Sequence, residues 1–191
     1  MKRNQKGFTL IELLAVIVIL GVLLAIAVPA VTKYINSSKK STFISNVKQF
    51  ADSARSDALA GTYQFPVSNG QATVVSFEKI EPSLEKGGHT SSYDGTWTEN
   101  SFIVIVNEGT AEAPRYVYYI AAMDSNNYGI GTLAEGATTA TSGIIEYNQL
   151  KSSNVVQLSS GATYEADKKD GSIISGKVTI NGKEITVTRA Y

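Results

Sequence analysis

The stretch that decides the fold is Lys6-Gly7-Phe8-Thr9-Leu10-Ile11-Glu12-Leu13-Leu14, with the run that continues from it to Val31. Between Phe8 and Val31, 20 of 24 residues are apolar and Glu12 is the only charge. Leu13 to Val31 is an unbroken run of 19 apolar, Gly or Pro residues. As a helix it rises about 28 Å, close to the roughly 30 Å of a bilayer core. Lys2, Arg3 and Lys6 precede it without an acidic residue, an excess of positive charge that holds an N-terminus in the cytoplasm.

Three readings of this segment compete: a cleaved secretory signal, a plain membrane anchor, and an anchor cut before its apolar run. Ala25-Ile26-Ala27 and Val28-Pro29-Ala30 offer the small residues that a conventional signal peptidase needs. Two features oppose that reading. Glu12 sits near the start of the apolar core, where a carboxylate costs about 2 to 3 kcal/mol at membrane depth. The sequence after Ala30 also continues with helical periodicity rather than breaking into a mature N-terminal loop. Tyr34, Ile35, Phe43, Ile44, Val47, Phe50, Ala54, Ala58 and Leu59 recur at spacings of three and four, with Lys33, Lys39, Lys40, Lys48, Asp52, Arg55 and Asp57 largely between them. The pattern predicts one helix from Phe8 to Ala60, about 80 Å long, stopping at Gly61, a suitable C-terminal cap. Gly21 and Pro29 interrupt it. Proline removes a backbone donor and crowds the preceding turn, and glycine lowers helix propensity, so this part is expected to kink or unwind easily; membrane helices also simply tolerate both residues.

Lys6-Gly7-Phe8-Thr9-Leu10-Ile11-Glu12-Leu13-Leu14, with a short basic leader before it and the apolar run after it, resembles the N-terminus of a type IV prepilin. The resemblance by motif covers residues 2 to 35. It implies that a prepilin peptidase cuts between Gly7 and Phe8 and methylates the new Phe8 amine. It implies too that Glu12 serves methylation and assembly, and that the subunit moves from the membrane into a surface filament, a homo-oligomer built by an assembly platform and motor. Glycine before the cut is sensible, since a residue without Cβ obstructs a protease least. Cleavage leaves a cationic amine on Phe8, and a buried carboxylate needs an opposite charge. The family supplies that charge from a neighbouring subunit, a pairing that sets register, whereas Glu12 pairing within its own chain or snorkelling to the interface is the plainer alternative. Removing residues 1–7 takes Lys2, Arg3 and Lys6 from 17 basic residues, leaving 14 against 17 acidic and a net charge of −3.

From Thr62 the composition turns to Gly, Ser, Thr, Asn and β-branched residues, a β-rich pattern. Ser101 to Val106 and Arg115 to Ala122 are the strongest strands, joined by Asn107 to Pro114; both are apolar on two faces, as central strands covered on one side by the helix. Asn181-Gly182 inside Gly176 to Arg189 is a two-residue hairpin turn that sets Val178 opposite Ile185, with Ile180 and Val187 on the same face. Ala72 to Phe77 is a further strand and Glu78 to Lys86 a short helix or turn. Ile144 to Leu158 fits strand or helix, and Gly136 to Gly143 is a loop. The expected fold is α+β, the type IV pilin fold: a long N-terminal helix packed on an antiparallel sheet. The segments are a leader at 1–7, a transmembrane and assembly half-helix at 8–31, an amphipathic half at 32–61 and a β-rich domain at 62–191. The chain has no cysteine, so the disulfide that staples the C-terminal region of many such proteins is impossible, and packing of the terminal hairpin must replace it.

Composition disfavours other classes. The absence of cysteine and a single histidine, His89, leave no thiolate chemistry and little material for acid–base relays or metal sites, so the chain reads as a non-enzyme without cofactor, catalytic or metal residues. Zero net charge and a pI near 6.6 lack the basic signature of a nucleic-acid binder. Asp124-Ser125-Asn126-Asn127-Tyr128-Gly129 with Glu135 partly matches a calcium loop, but Tyr128 stands where an oxygen ligand belongs, and a turn explains the same residues. Asp167-Lys168-Lys169-Asp170-Gly171 reads as a solvated turn, and His89 as an exposed loop residue. Tyr116, Tyr118 and Tyr119 suit either a carbohydrate-stacking surface or the filling of a sheet. The sequence therefore points to a structural subunit of a type IV pilus serving adhesion or motility, membrane-inserted before assembly and then extracellular. A minor pilin, a pseudopilin of a secretion or DNA-uptake system, and an ordinary secreted or anchored binding domain are the alternatives.

Overall fold

The computed structural model describes residues 7–81, 88–164, 166–169 and 172–191. The basic leader, most of the predicted turn at Glu78 to Lys86, and Asp170-Gly171 lie outside the described residues. The chain forms two compact units, Met1–Ser38 and Lys39–Tyr191.

One helix, α1 (Leu10–Leu59), opens the chain. Its start is fixed by a reciprocal cap: the Glu12 carboxylate accepts the Thr9 N–H, while the Glu12 N–H reaches the Thr9 hydroxyl, so two donors otherwise orphaned at a helix start are satisfied. Its end is fixed by Gly61 at φ +85°. There the Gly61 N–H donates to Ala58 O (3.1 Å) and the Thr62 N–H to Asp57 O (2.9 Å), the paired bonds of a Schellman motif. Gly21 and Pro29 are helical like their neighbours.

In the first unit the described residues are exposed throughout. The predicted apolar stripe therefore starts too early: Tyr34 and Ile35 are 76% and 47% exposed, since they precede the second unit. Burial begins at Phe43 and continues through Ile44, Val47, Phe50, Ala51, Ala54 and Ala58, a spacing that keeps one face inward. Leu59, also assigned to the stripe, lies off that face and is exposed.

The second unit places this face against a seven-stranded sheet. In chain order its strands are β1 (Gln71–Ser76), β2 (Phe102–Asn107), β3 (Tyr116–Ala121), β6 (Ile145–Glu146), β8 (Ala166–Lys169), β9 (Ser172–Ile180) and β10 (Lys183–Ala190). Across the sheet the order is β6-β3-β2-β1-β10-β9-β8. A smaller sheet runs β5-β4-β7 and contains β4 (Tyr128–Thr132), β5 (Thr141–Ser142) and β7 (Val155–Gln157). All six residues of β2 are buried. Its alternation sends Ile103 and Ile105 into the cluster that holds Phe43, Val47 and Phe50 of the helix, and Phe102, Val104 and Val106 into a second cluster with Val178, Ile180, Ile185 and Val187. A strand buried on both faces is therefore apolar at every position but its last.

The large sheet is antiparallel, as expected, at every described pairing but one, since β1 and β10 run in parallel. The hairpin register is as read, with Val178 opposite Ile185. The hairpin lies inside the sheet, with β10 between β1 and β9. Beyond β10, the Tyr191 N–H donates to Val74 O (3.0 Å) and Tyr191 O accepts from Ser76 N (2.9 Å). Residues 183–191 are thus tied to the sheet centre by backbone hydrogen bonds in a chain without cysteine.

Three further expectations are refined. Gly136 to Gly143 is not wholly loop, since Thr141–Ser142 pairs with Gly131 and Thr132. Ile144 to Leu158 is divided between β6, two 3-10 turns and β7. Asp167 to Lys169 belongs to β8 rather than to a turn.

Candidate functional site

The candidate site is the N-terminal segment itself. Phe8 is 88% exposed, and so is every large apolar side chain from Leu10 to Val31 at half or more of its surface. An 18-residue window of α1 has mean hydropathy 3.1 with none of it buried. By length and composition this helix is able to cross a membrane. Exposed apolar surface of this extent in water is an aggregation liability, so the segment needs lipid or another protein surface.

Within that surface the polar groups are arranged locally. Glu12 Oε2 accepts from Thr9 N (2.8 Å) and Thr9 Oγ1 (2.7 Å). These are hydrogen bonds to the neutral Thr9, not a pairing of the Glu12 carboxylate with an opposite charge. Thr9 is the capping partner of Glu12, and Thr-x-x-Glu ahead of an apolar run is the sequence signature of such a cap. All atoms of this cap follow the Gly7–Phe8 bond, so a cut there leaves the cap whole.

Gly7 and Gly21 share a property: a Cβ built on either meets no atom within 4 Å. Among the described residues, neither glycine is required by packing. Pro29 lies inside α1, where its ring nitrogen cannot donate to the preceding turn. One turn on, the Thr32 hydroxyl donates to Val28 O at 2.9 Å.

The other sequence constellations are absorbed by structure. Asp124 is fully buried. Its Oδ1 accepts the backbone N–H groups of Asn126 and Tyr128, both at 2.9 Å, and its Oδ2 accepts the Ser91 hydroxyl. Both oxygens are thus occupied by protein donors, and Asn127 takes φ +62° in the turn they enclose. This is the hydrogen-bonding of an Asx-type turn, not an array of oxygens converging on a cation. Gly95 packs against the same carboxylate, where a Cβ would stand 2.8 Å from Asp124 Cγ. His89 is exposed, 3.9 Å from the Glu81 carboxylate and edge-on to the Phe50 ring. Among the described residues no group of three or more His, Cys, Asp or Glu side chains is placed to hold a metal ion.

The fold and this segment define a class: a chain with an exposed apolar helical segment at its N-terminus and a β-rich domain. Residues 2–28 match the prokaryotic N-terminal methylation motif. A type IV major fimbrial protein FimA of Dichelobacter nodosus is 38% identical over 117 residues, 59% of this chain and 73% of that protein. A fimbrial protein of Pseudomonas aeruginosa is 42% identical over 104 residues, 54% of this chain and 68% of the relative. Another FimA of Dichelobacter nodosus is 44% identical over 61 residues, 32% of this chain. The chain spans about two fifths (39%) of that last relative's length. No solved structure matches the chain. The chain belongs to the type IV pilins.

Proposed function

We propose that the chain is the structural subunit of a type IV pilus: a prepilin inserted in the membrane through residues 8–31, cut after Gly7, methylated at Phe8 and polymerised into a surface filament. The observation that carries this reading is the exposed apolar half of α1 behind a Gly7–Phe8 junction and a capped Glu12. In the membrane, lipid covers that surface. In the filament, the same surface of other subunits covers it, so assembly exchanges one apolar environment for another at little cost in hydrophobic free energy.

Glu12 then discriminates between correct and incorrect placement. A subunit entering at the wrong height leaves its carboxylate and a Phe8 amine unpaired in an apolar core, and an unpaired buried charge costs several kcal/mol. The Thr9 hydroxyl and N–H already engage one oxygen of that carboxylate, which orients the group before a neighbour arrives. Pro29 and Gly21 are proposed as the points where the helix loosens during extraction. The partners on this reading are a prepilin peptidase, an assembly platform with its motor, and further copies of the chain, and the role served is adhesion or motility.

The test is a Glu12→Ala substitution, with sheared surface filaments quantified by mass spectrometry. The reading predicts loss of filaments while the subunit persists in the membrane fraction. Undiminished, methylated filaments from the variant contradict it.

A further inference from the structure

We propose that the head carries a binding groove for a neutral saccharide at the open end of strand β3. The edge of the large sheet is only half covered. β6 pairs with Tyr119 and Ile120, then the chain leaves in a 3-10 turn at Tyr147–Gln149, so among the described residues no strand pairs with Tyr116 to Tyr118 on that side. A groove of about 450 Å3 fills the gap, within the roughly 300–1,000 Å3 typical of small-molecule sites.

Its walls have the chemistry that sugars require. Tyr116, Tyr118 and Tyr147 are half-buried, with rings offering apolar faces to the C–H side of a pyranose. Two of them are held in place. Tyr116 stacks on Phe65 with centroids 4.3 Å apart, and Tyr147 lies between Lys48, 5.1 Å from its ring, and Asp52, whose carboxylate accepts the Tyr147 hydroxyl at 3.3 Å. Rings fixed in advance lose little freedom on binding.

The polar groups at the rim are planar and bidentate. Arg55 is exposed on the helix, lines the groove and acts electrostatically on both Tyr118 and Tyr147. Among the described residues no carboxylate lies within ion-pair distance of it. Glu146 and Asn148 complete the rim, with the Glu146 carboxylate accepting Asn148 Nδ2 (3.3 Å) and Gln149 Nε2 (3.0 Å). The Arg55 guanidinium therefore supplies the planar, two-donor group able to span two adjacent hydroxyls.

The charges decide the class. Arg55 and Glu146 both line the groove, Lys48 and Asp52 flank Tyr147 on its margin, and Arg115 is neutralised by its own ion pair with Glu108, which lies away from the groove. No net field recruits an acidic or basic polymer, whereas hydroxyls pair with either sign. Tyr119, by contrast, faces the other side of the sheet, where its hydroxyl is bound to Glu108 at 2.9 Å, and it takes no part.

The proposal concerns the head and does not require polymerisation, so it is tested on dispersed full-length subunits. The chain is held in a detergent without a sugar headgroup and probed by saturation-transfer NMR with lactose, maltose and cellobiose. Transfer to ring C–H protons of at least one disaccharide is expected. Arg55→Met and Tyr147→Ala should each weaken apparent affinity by about tenfold, and Tyr119→Phe should leave it unchanged. Near-ultraviolet circular dichroism checks that each variant keeps the parent fold, with Arg55→Lys as the milder variant. Absence of transfer from all three sugars overturns the proposal, as does transfer that Arg55→Met and Tyr147→Ala leave intact.

Discussion

Replacing Asp124 by alanine should be among the most damaging single changes in the head, and the structure says by how much. The carboxylate is fully buried and accepts Asn126 N, Tyr128 N and the Ser91 hydroxyl. The hydroxyl is able to rotate toward another acceptor; the two backbone donors are fixed. A donor left unsatisfied costs about 1–3 kcal/mol, so Asp124→Ala should destabilise by about 2–6 kcal/mol, a large fraction of the 5–15 kcal/mol that holds an ordinary domain together. Asp124→Asn keeps an oxygen for the two backbone donors and loses chiefly the charge-assisted bond to Ser91, so it should cost about 1–2 kcal/mol. The reporter is built in: Trp97 is the single tryptophan, its backbone bridges to Asp124 and its ring packs among Phe43, Phe50 and Phe77. Urea unfolding of the full chain in detergent, followed by Trp97 fluorescence, measures both variants. Neither calcium nor a chelator should move the parent midpoint, since both carboxylate oxygens are taken. A cost below about 1 kcal/mol for Asp124→Ala, or a midpoint raised by calcium, refutes the reasoning.

Other outcomes follow from the same contacts. Phe50→Ala removes a fully buried ring stacked on Phe77 at 4.0 Å and should cost about 3–5 kcal/mol in the same assay. Gly61→Ala forces a side chain into φ +85° at the helix end and should cost about 1–2 kcal/mol, detectable as a lower urea midpoint. Burial, and then the hydrogen bond to Glu108, raise the Tyr119 phenol to about 12, and burial also raises Tyr63, Tyr93, Tyr118 and Tyr147. Their unfolded counterparts ionise near 10, so above that pH the unfolded chain binds fewer protons and stability falls, through to about pH 12 for Tyr119. Urea midpoints measured at about pH 9 and about pH 11 should show the fall, and Tyr119→Phe should lessen it.

What the sequence made legible was local. Gly61 marks the end of α1 by hydrogen-bond rules that act within five residues, whereas the Thr9–Glu12 cap at its start emerges only from the structure. Asn181-Gly182 sets the hairpin register because a two-residue turn leaves one choice; Asn181 and Gly182 both take positive φ. The insertion of β10 beside β1 was not legible, since Thr186 meets Gln71 across more than a hundred residues and only the packing of the whole sheet selects that neighbour. The same holds for Asp124: its sequence neighbours suggest a cation loop, while the partner that changes the reading, Ser91, comes from a distant loop. Burial of the helix stripe from Phe43 rather than Tyr34 depends on where the head begins, which periodicity does not report. The apolar run behind Phe8 is legible as a helix because its pattern is local: the described residues of the first unit are exposed, so apolar composition and helix propensity decide that stretch.

The most direct measurement is the N-terminus of the protein recovered from cells, by intact mass and tandem mass spectrometry. The account predicts a chain that begins at an N-methylated Phe8 and retains the apolar run. A mature chain beginning at Val28 or Val31, cut by an ordinary signal peptidase, contradicts it.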